Sequence, residues 1–353
     1  HKNVKSYLKS IYTKLKEDKD FIKLEKEILD SISILSFPKK LDDSNDDVIM
    51  NSTPKENRVE ELQYFIDMKV EGHILGVLWI MLLGHRIDEK IYEHSYGNRI
   101  RKNLINDLSN DPTYSPYLFE PYFEQYESWR NTAMSEAKKH MALEQDVIII
   151  TMDFRRYYYS IDADKKVFNA LYDEAFKDSG DEIDNKQEEI LKRLNMFIYN
   201  VVHKYASLFV DKFEKRCILP IGFLPSNIIA NWCLRNFDRA IADGWNPVYY
   251  GRYVDDVLIV DKVEHNSSIY QKMKRDELKR NDIIEFFLER CSKWNGGSSF
   301  GCKREKEFAL LCAEEEKKRQ KENKKRDKEK KEDNSISYYV NPRYNVIENN
   351  KSH

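Results

Sequence analysis

The stretch GRYVDDVLIV (251–260) constrains this chain more than any other, because it sets two acids, Asp255 and Asp256, inside an apolar, β-branched run. Residues Val248–Val254 and Val257–Val260 are of strand-forming type on both sides, which predicts a hairpin over 247–261 with the acids at or near its turn. A turn projects side chains out of the core, where carboxylates stay hydrated; buried and unpaired they would be heavily destabilising. A second run, DVIIITMDF (146–154), is too short and too β-branched for a helix and predicts a buried strand with Asp153 at its end. If these strands are neighbours in one sheet, three carboxylates converge at one edge and repel each other. A divalent cation relieves that repulsion. Hard oxygen donors without His or Cys nearby point to Mg²⁺, with Mn²⁺ as a substitute. Two such ions would clamp the attacking and leaving oxygens of an in-line phosphoryl transfer.

Composition narrows the alternatives. With 353 residues and 41% hydrophobic content, the chain can build one large core or two small ones. A formal net charge of -2 argues against a uniformly basic nucleic-acid coat and leaves room for a local basic channel. The five cysteines (Cys217, Cys233, Cys291, Cys302, Cys312) form no CxxC pair and the eight histidines no ligand cluster, so a structural zinc site is not expected and a reduced, cytoplasmic setting is. The N-terminus carries no signal-peptide pattern. HILGVLWIMLLGH (73–85) falls short of the roughly 20 apolar residues of a membrane span and predicts a buried helix, with no membrane partner.

Along the chain, residues 1–95 read as an α-helical region broken by a polar loop at 37–58, with helix again from 59. Residues 96–145 combine an irregular, aromatic-rich stretch with a helix over 126–143. Residues 146–312 hold the two acidic segments, with a helical insertion at 163–215, a helix at 226–242 and another at 266–293. The run EEEKKRQKENKKRDKEKKED (314–333) predicts a charged linker or solvated helix over 313–334, and 335–353 begins a further C-terminal element.

Between the acidic segments lies LPIGFLPSNIIANWCL (219–234). Gly222 lets backbone approach a ligand closely, and Pro225–Ser226 starts a helix with Ser226 as its N-cap. Taken together, DFRRYYYSID (153–162), LPIGFLPSNIIAN (219–231) and YVDD (253–256) resemble motifs A, B and C of the palm domain of reverse transcriptases. The clear resemblance covers roughly 145–265, with a weaker fingers-like match over 95–145. It implies an α+β right-hand polymerase fold, with an antiparallel palm sheet, packed helices and fingers.

The resemblance also implies roles. Asp153 and Asp255 would hold two Mg²⁺ ions, Asp256 would support them, and the Phe154 carbonyl would be a further ligand. Tyr158 matches the steric gate that favours dNTPs over rNTPs, with Tyr157 beside it and Gly222 in the nucleotide pocket. Arg99, Arg101, Lys102, Arg130 and Lys138 are candidate triphosphate contacts, and Ile221, Pro225, Ser226 and Tyr253 would position template and primer. Motif B departs from the common pattern at Ile221, where Gln is usual, and at Ser226–Asn227, where Ser-Pro is usual. With the aromatic PYFEQYESWR (121–130), this form is more similar to bacterial abortive-infection and defence-associated reverse transcriptases. The expected activity is RNA-directed DNA synthesis in antiviral defence. An RNA template or non-coding RNA, dNTPs and a DNA product are the partners, and a homo-oligomer is one expected assembly. The alternatives are a template-independent or protein-primed terminal transferase, and a catalytically silent RNA-binding scaffold.

Overall fold

The structure is a computed structural model and describes residues 2–41, 59–101, 117–154, 156–176, 184–209, 213, 216–292, 335–341 and 346–352. It is a mixed α+β protein, and among the described residues the sheets are antiparallel. The chain divides into two units, each made of two chain segments: His1–Ile87 with Asp162–Ile229, and Asp88–Ile161 with Ala230–His353.

In the first unit, α1 (Lys2–Lys16) and α2 (Asp18–Ser31) are amphipathic. Phe21, Leu24 and Ile28 recur at helical spacing, and all three are buried. The apolar run read as a buried helix is α3 (Val70–Asp88), a continuous helix with a π-helical turn at Ile80–Gly84. By length and composition it could cross a membrane, but Leu75, Trp79, Ile80, Leu83 and Ile87 are wholly buried within the protein. Helices α6 (Lys165–Phe176) and α7 (Asn185–Ser207) complete this core. The buried Asn195 amide is satisfied on both sides: Trp79 Nε1 donates to Asn195 Oδ1 at 3.0 Å, and Asn195 Nδ2 donates to the Phe168 carbonyl at 2.9 Å.

The all-helical reading of 1–95 needs correction. Ser33–Leu41 (β1) and Val59–Asp67 (β2) pair as an antiparallel ribbon. Each strand finds its hydrogen bonds on the other, across residues 42–58, and a local periodicity cannot register a partner that distant. The Ile66 N–H also donates to the Ile221 carbonyl at 2.9 Å, so β2 anchors the start of the loop that carries Gly222.

The second unit is built on a three-stranded sheet in the order β3 (Val147–Asp153), β5 (Asp256–Lys262), β4 (Tyr249–Tyr253). Helix α4 (Tyr122–Ala142) covers one face, where Trp129, Ala133 and Ala137 pack with Tyr249, Tyr253, Leu258 and Val260. The other face meets α5 (Tyr157–Ser160), the end of α8 (Pro225–Cys233) and α9 (Arg235–Arg239) through Phe154, Phe237 and Tyr250. Further along, α10 (Ser268–Lys274) and α11 (Arg280–Ser292) follow β5, and Phe286 and Phe287 pack on Trp245. Strand β3 is an edge strand rather than the buried one expected: Ile150 is buried, while Ile149 is 44% exposed. Among the described residues its one sheet neighbour is β5, and alternation returns where full burial was predicted. A last hairpin, β6 (Ser335–Asn341) with β7 (Val346–Ser352), occupies the C-terminal element. The charged segment 313–334 lies outside the described residues.

Candidate active site

Strand register creates the site. Antiparallel pairing sets Asp153 opposite Asp256 and Tyr253 opposite Asp256, so one row across the sheet reads Asp153, Asp256, Tyr253. Paired residues point to the same face. The Phe154 N–H donates to the Asp255 carbonyl at 3.2 Å, which extends the pairing one step past the strand end and ties the two acidic segments together. Asp153 is exposed, and Asp255 and Asp256 are half-buried. Burial raises the Asp256 carboxyl above the usual carboxylate range, and the Asp153 charge raises it further. Two opposed carboxylates of this kind form a hard-oxygen pair that a divalent cation would neutralise. Among the described residues, no group of three or more His, Cys, Asp or Glu is gathered as a metal cluster, so the fit rests on this pair and on Asp255 at the adjoining turn.

The turn itself is strained. Tyr253 ends β4 and Asp256 begins β5, leaving Val254 and Asp255 as a two-residue connection. Val254 has φ of 58°, a left-handed conformation that a β-branched residue rarely takes. Two neighbours hold it there, Arg252 and the segment 94–98. Arg252 Nη1 donates to the Val254 carbonyl at 2.7 Å. The segment 94–98 is clasped to β4, with the Arg252 N–H donating to the His94 carbonyl at 2.9 Å and the Tyr96 N–H to the Arg252 carbonyl at 2.8 Å. Gly97 is pressed against the turn so closely that a Cβ there would lie 2.7 Å from the Val254 nitrogen. Tyr253 is locked from the other side by Tyr122, Tyr126 and Trp129, with ring centroids 5.3, 5.4 and 6.1 Å away. The aromatic run 121–130 is therefore packing for the acidic hairpin.

Tyr158 is half-buried and close to Asp255. Burial first and the Asp255 charge second push its phenol up, while a hydrogen bond with Asn98 works the other way. Tyr157 has a different fate from the one expected: it is 2% exposed, and its hydroxyl donates to the Ala230 carbonyl at 2.5 Å, so it is core. Arg99 is likewise spent internally. Its guanidinium donates to Asp88 Oδ1 at 3.0 Å and to the carbonyls of Tyr92, Ser95 and Asp88 at 3.1, 2.9 and 2.8 Å. Arg101 has its N–H on the Leu118 carbonyl at 3.1 Å, and Arg130 and Lys138 are exposed on α4. Lys102 lies outside the described residues.

Of the segment matched to motif B, residues up to Ile229, with Ile221, Gly222, Pro225 and Ser226, belong to the first unit, and Ala230 and Asn231 to the second. Gly222 has φ of +88°, which explains why glycine stands there. Pro225 opens α8, with its fixed φ suited to a first helical position. Ser226 does not cap that helix: it sits inside the first turn, wholly buried, and its hydroxyl has no hydrogen-bond partner.

Reading the sequence missed Arg252, Asp238, Asn231, Gly97 and Asn98. Arg252 carried a signal, a charge inside an aromatic strand, but it is informative only once Asp238 is known to face it. No protein-family model and no curated protein matches the chain.

Proposed function

We propose that the chain is an RNA-directed DNA polymerase of reverse-transcriptase type, acting in the bacterial cytoplasm in defence against phage. The observation that carries the reading is the register that sets Asp153 against Asp256 at the end of a hairpin whose turn reads Tyr253-Val254-Asp255-Asp256. On this reading the second unit's sheet and its helices form the core of a polymerase palm.

Asp153, Asp255, Asp256 and the Phe154 carbonyl would hold the Mg²⁺ ions. Bound there, the metal would lower the pKa of a primer hydroxyl and neutralise the departing pyrophosphate. The protein's own part is to keep the carboxylates rigid on a hydrogen-bonded sheet and to present Tyr158 beside Asp255. A ring at that place would exclude a ribose 2′-hydroxyl and select dNTPs. Arg99 is bound internally, and Arg130 and Lys138, exposed on α4, are the described cations of the original set that would meet the triphosphate.

The test is incorporation of labelled dNTPs with Mg²⁺, with and without RNA template, beside an Asp255→Ala/Asp256→Ala control. Template-dependent product that disappears in the control supports the proposal; product that survives it removes the carboxylates from the chemistry. Ile221, where the family usually has Gln, favours a second reading, template-independent addition on the same site. A product of one base composition whatever template is supplied would select that reading.

A further inference from the structure

We infer that the buried Arg252–Asp238 pair, with Asn231, is a positioning device that fixes the Val254 carbonyl and thereby sets where Asp255 and Asp256 leave the turn. This rests on the carboxylate site proposed above. Arg252 and Asp238 are both 0% exposed. Arg252 Nε and Nη2 each meet Asp238 at 2.9 Å in a two-pronged bond, and Nη1 donates to Asn231 Oδ1 at 2.9 Å and to the Val254 carbonyl at 2.7 Å. Tyr250 donates its hydroxyl to the same Asp238 carboxylate. Asn231 Nδ2 donates in turn to the Gly97 carbonyl at 2.8 Å, and Gly97 is the residue pressed against the turn. One guanidinium therefore connects α8, α9 and both supports of the hairpin.

Energetics separate positioning from mere stability. A buried ion pair gives little net stabilisation over well-packed apolar residues of the same size. Asp238 and Asn231 take four of the guanidinium's five N–H groups, through the Asp238 carboxylate and the Asn231 side-chain and main-chain oxygens. The bond to Val254 is additional, and it falls on the one residue of the hairpin held at φ of 58°. A planar guanidinium reaches three acceptors at once in fixed directions; a lysine ammonium in its place cannot.

The test uses the full chain with Arg252→Lys and Asn231→Ala, each alone and combined with Val254→Gly. Readouts are thermal melting, Mn²⁺ binding followed by electron paramagnetic resonance, and kcat and KM for dNTP incorporation. Arg252→Lys is expected to weaken Mn²⁺ binding on the order of tenfold and to lower kcat with KM for dNTP little changed. Val254→Gly should restore a large part of both, because glycine holds the positive φ without a tether. Asn231→Ala leaves the ion pair intact and carries the test if Arg252→Lys does not fold. Variants that lose melting temperature alone, with Mn²⁺ binding per folded molecule and kcat unchanged, overturn the inference. So do effects that simply add to those of Val254→Gly, and wild-type Mn²⁺ binding that survives Asp255→Ala/Asp256→Ala. Carboxylate-dependent Mn²⁺ binding that is weakened by Arg252→Lys, in a chain that incorporates no nucleotide, sinks the polymerase reading and leaves the positioning inference standing.

Discussion

Val254 and Asp256 are each less stable than a neighbour in sequence space would be. A valine at φ of 58° stores on the order of 1–3 kcal/mol of backbone strain, whereas glycine accepts that φ freely but loses about 0.5–1 kcal/mol of chain entropy. Val254→Gly should therefore stabilise the protein by about 1 kcal/mol, read as a higher urea midpoint at unchanged slope; a lower midpoint would show that the strain is absent. Asp256 has its carboxyl raised in the folded state by burial and by Asp153. The folded chain thus holds that proton more tightly than the unfolded one, and stability falls as pH rises from the ordinary aspartate range through the folded pKa. Asp256→Asn should melt higher than wild type at pH 7, lose that advantage near pH 3, and be inactive; equal melting at pH 7 would remove the repulsion argument. The acids were legible because carboxylates in an apolar run have few explanations. Their supports were not, because Arg252 acquires its meaning from Asp238, 14 residues earlier on a helix, and no local periodicity shows that the two face each other.

Among the elements, the segment 94–98 does the work of a clasp, since its main chain pairs with β4 and its glycine leaves space for the turn. Gly97→Ala puts a methyl carbon 2.6 Å from a Val254 methyl and 2.7 Å from its backbone nitrogen. Backbone cannot yield as a side chain can, so the hairpin or the clasp must move. The expected cost is about 1–3 kcal/mol, seen in the denaturation midpoint, together with a loss of nucleotide incorporation greater than that of an equally destabilised core variant such as Leu171→Ala. Equal losses would make Gly97 a packing residue only. Elements with local causes were readable: α4, α7 and the β4–β5 hairpin follow from spacing and turn position. The β1–β2 ribbon and the edge position of β3 were not, because both depend on which distant strand lies alongside.

At the scale of the molecule, each unit is assembled from segments far apart in the chain. Residues Asp88–Ile161 supply β3, while its sheet partner among the described residues, β5, comes from the segment after Ala230. The pairing Asp153↔Asp256 thus closes a loop of about a hundred residues, and that entropy must be spent before a single hydrogen bond of β3 forms. The site is consequently a product of both segments of the second unit rather than of either one alone. A chain ended at residue 229 keeps Asp153, Ile221, Gly222, Pro225 and Ser226, yet it has no β4 or β5. In such a chain the amides of 147–153 should exchange with solvent as fast as unstructured peptide, whereas the core helix α3, whose partners α6 and α7 are retained, should stay protected. Protection of 147–153 in the shortened chain would mean that β3 is ordered by something other than β5, and the register argument for the carboxylate pair would lose its foundation.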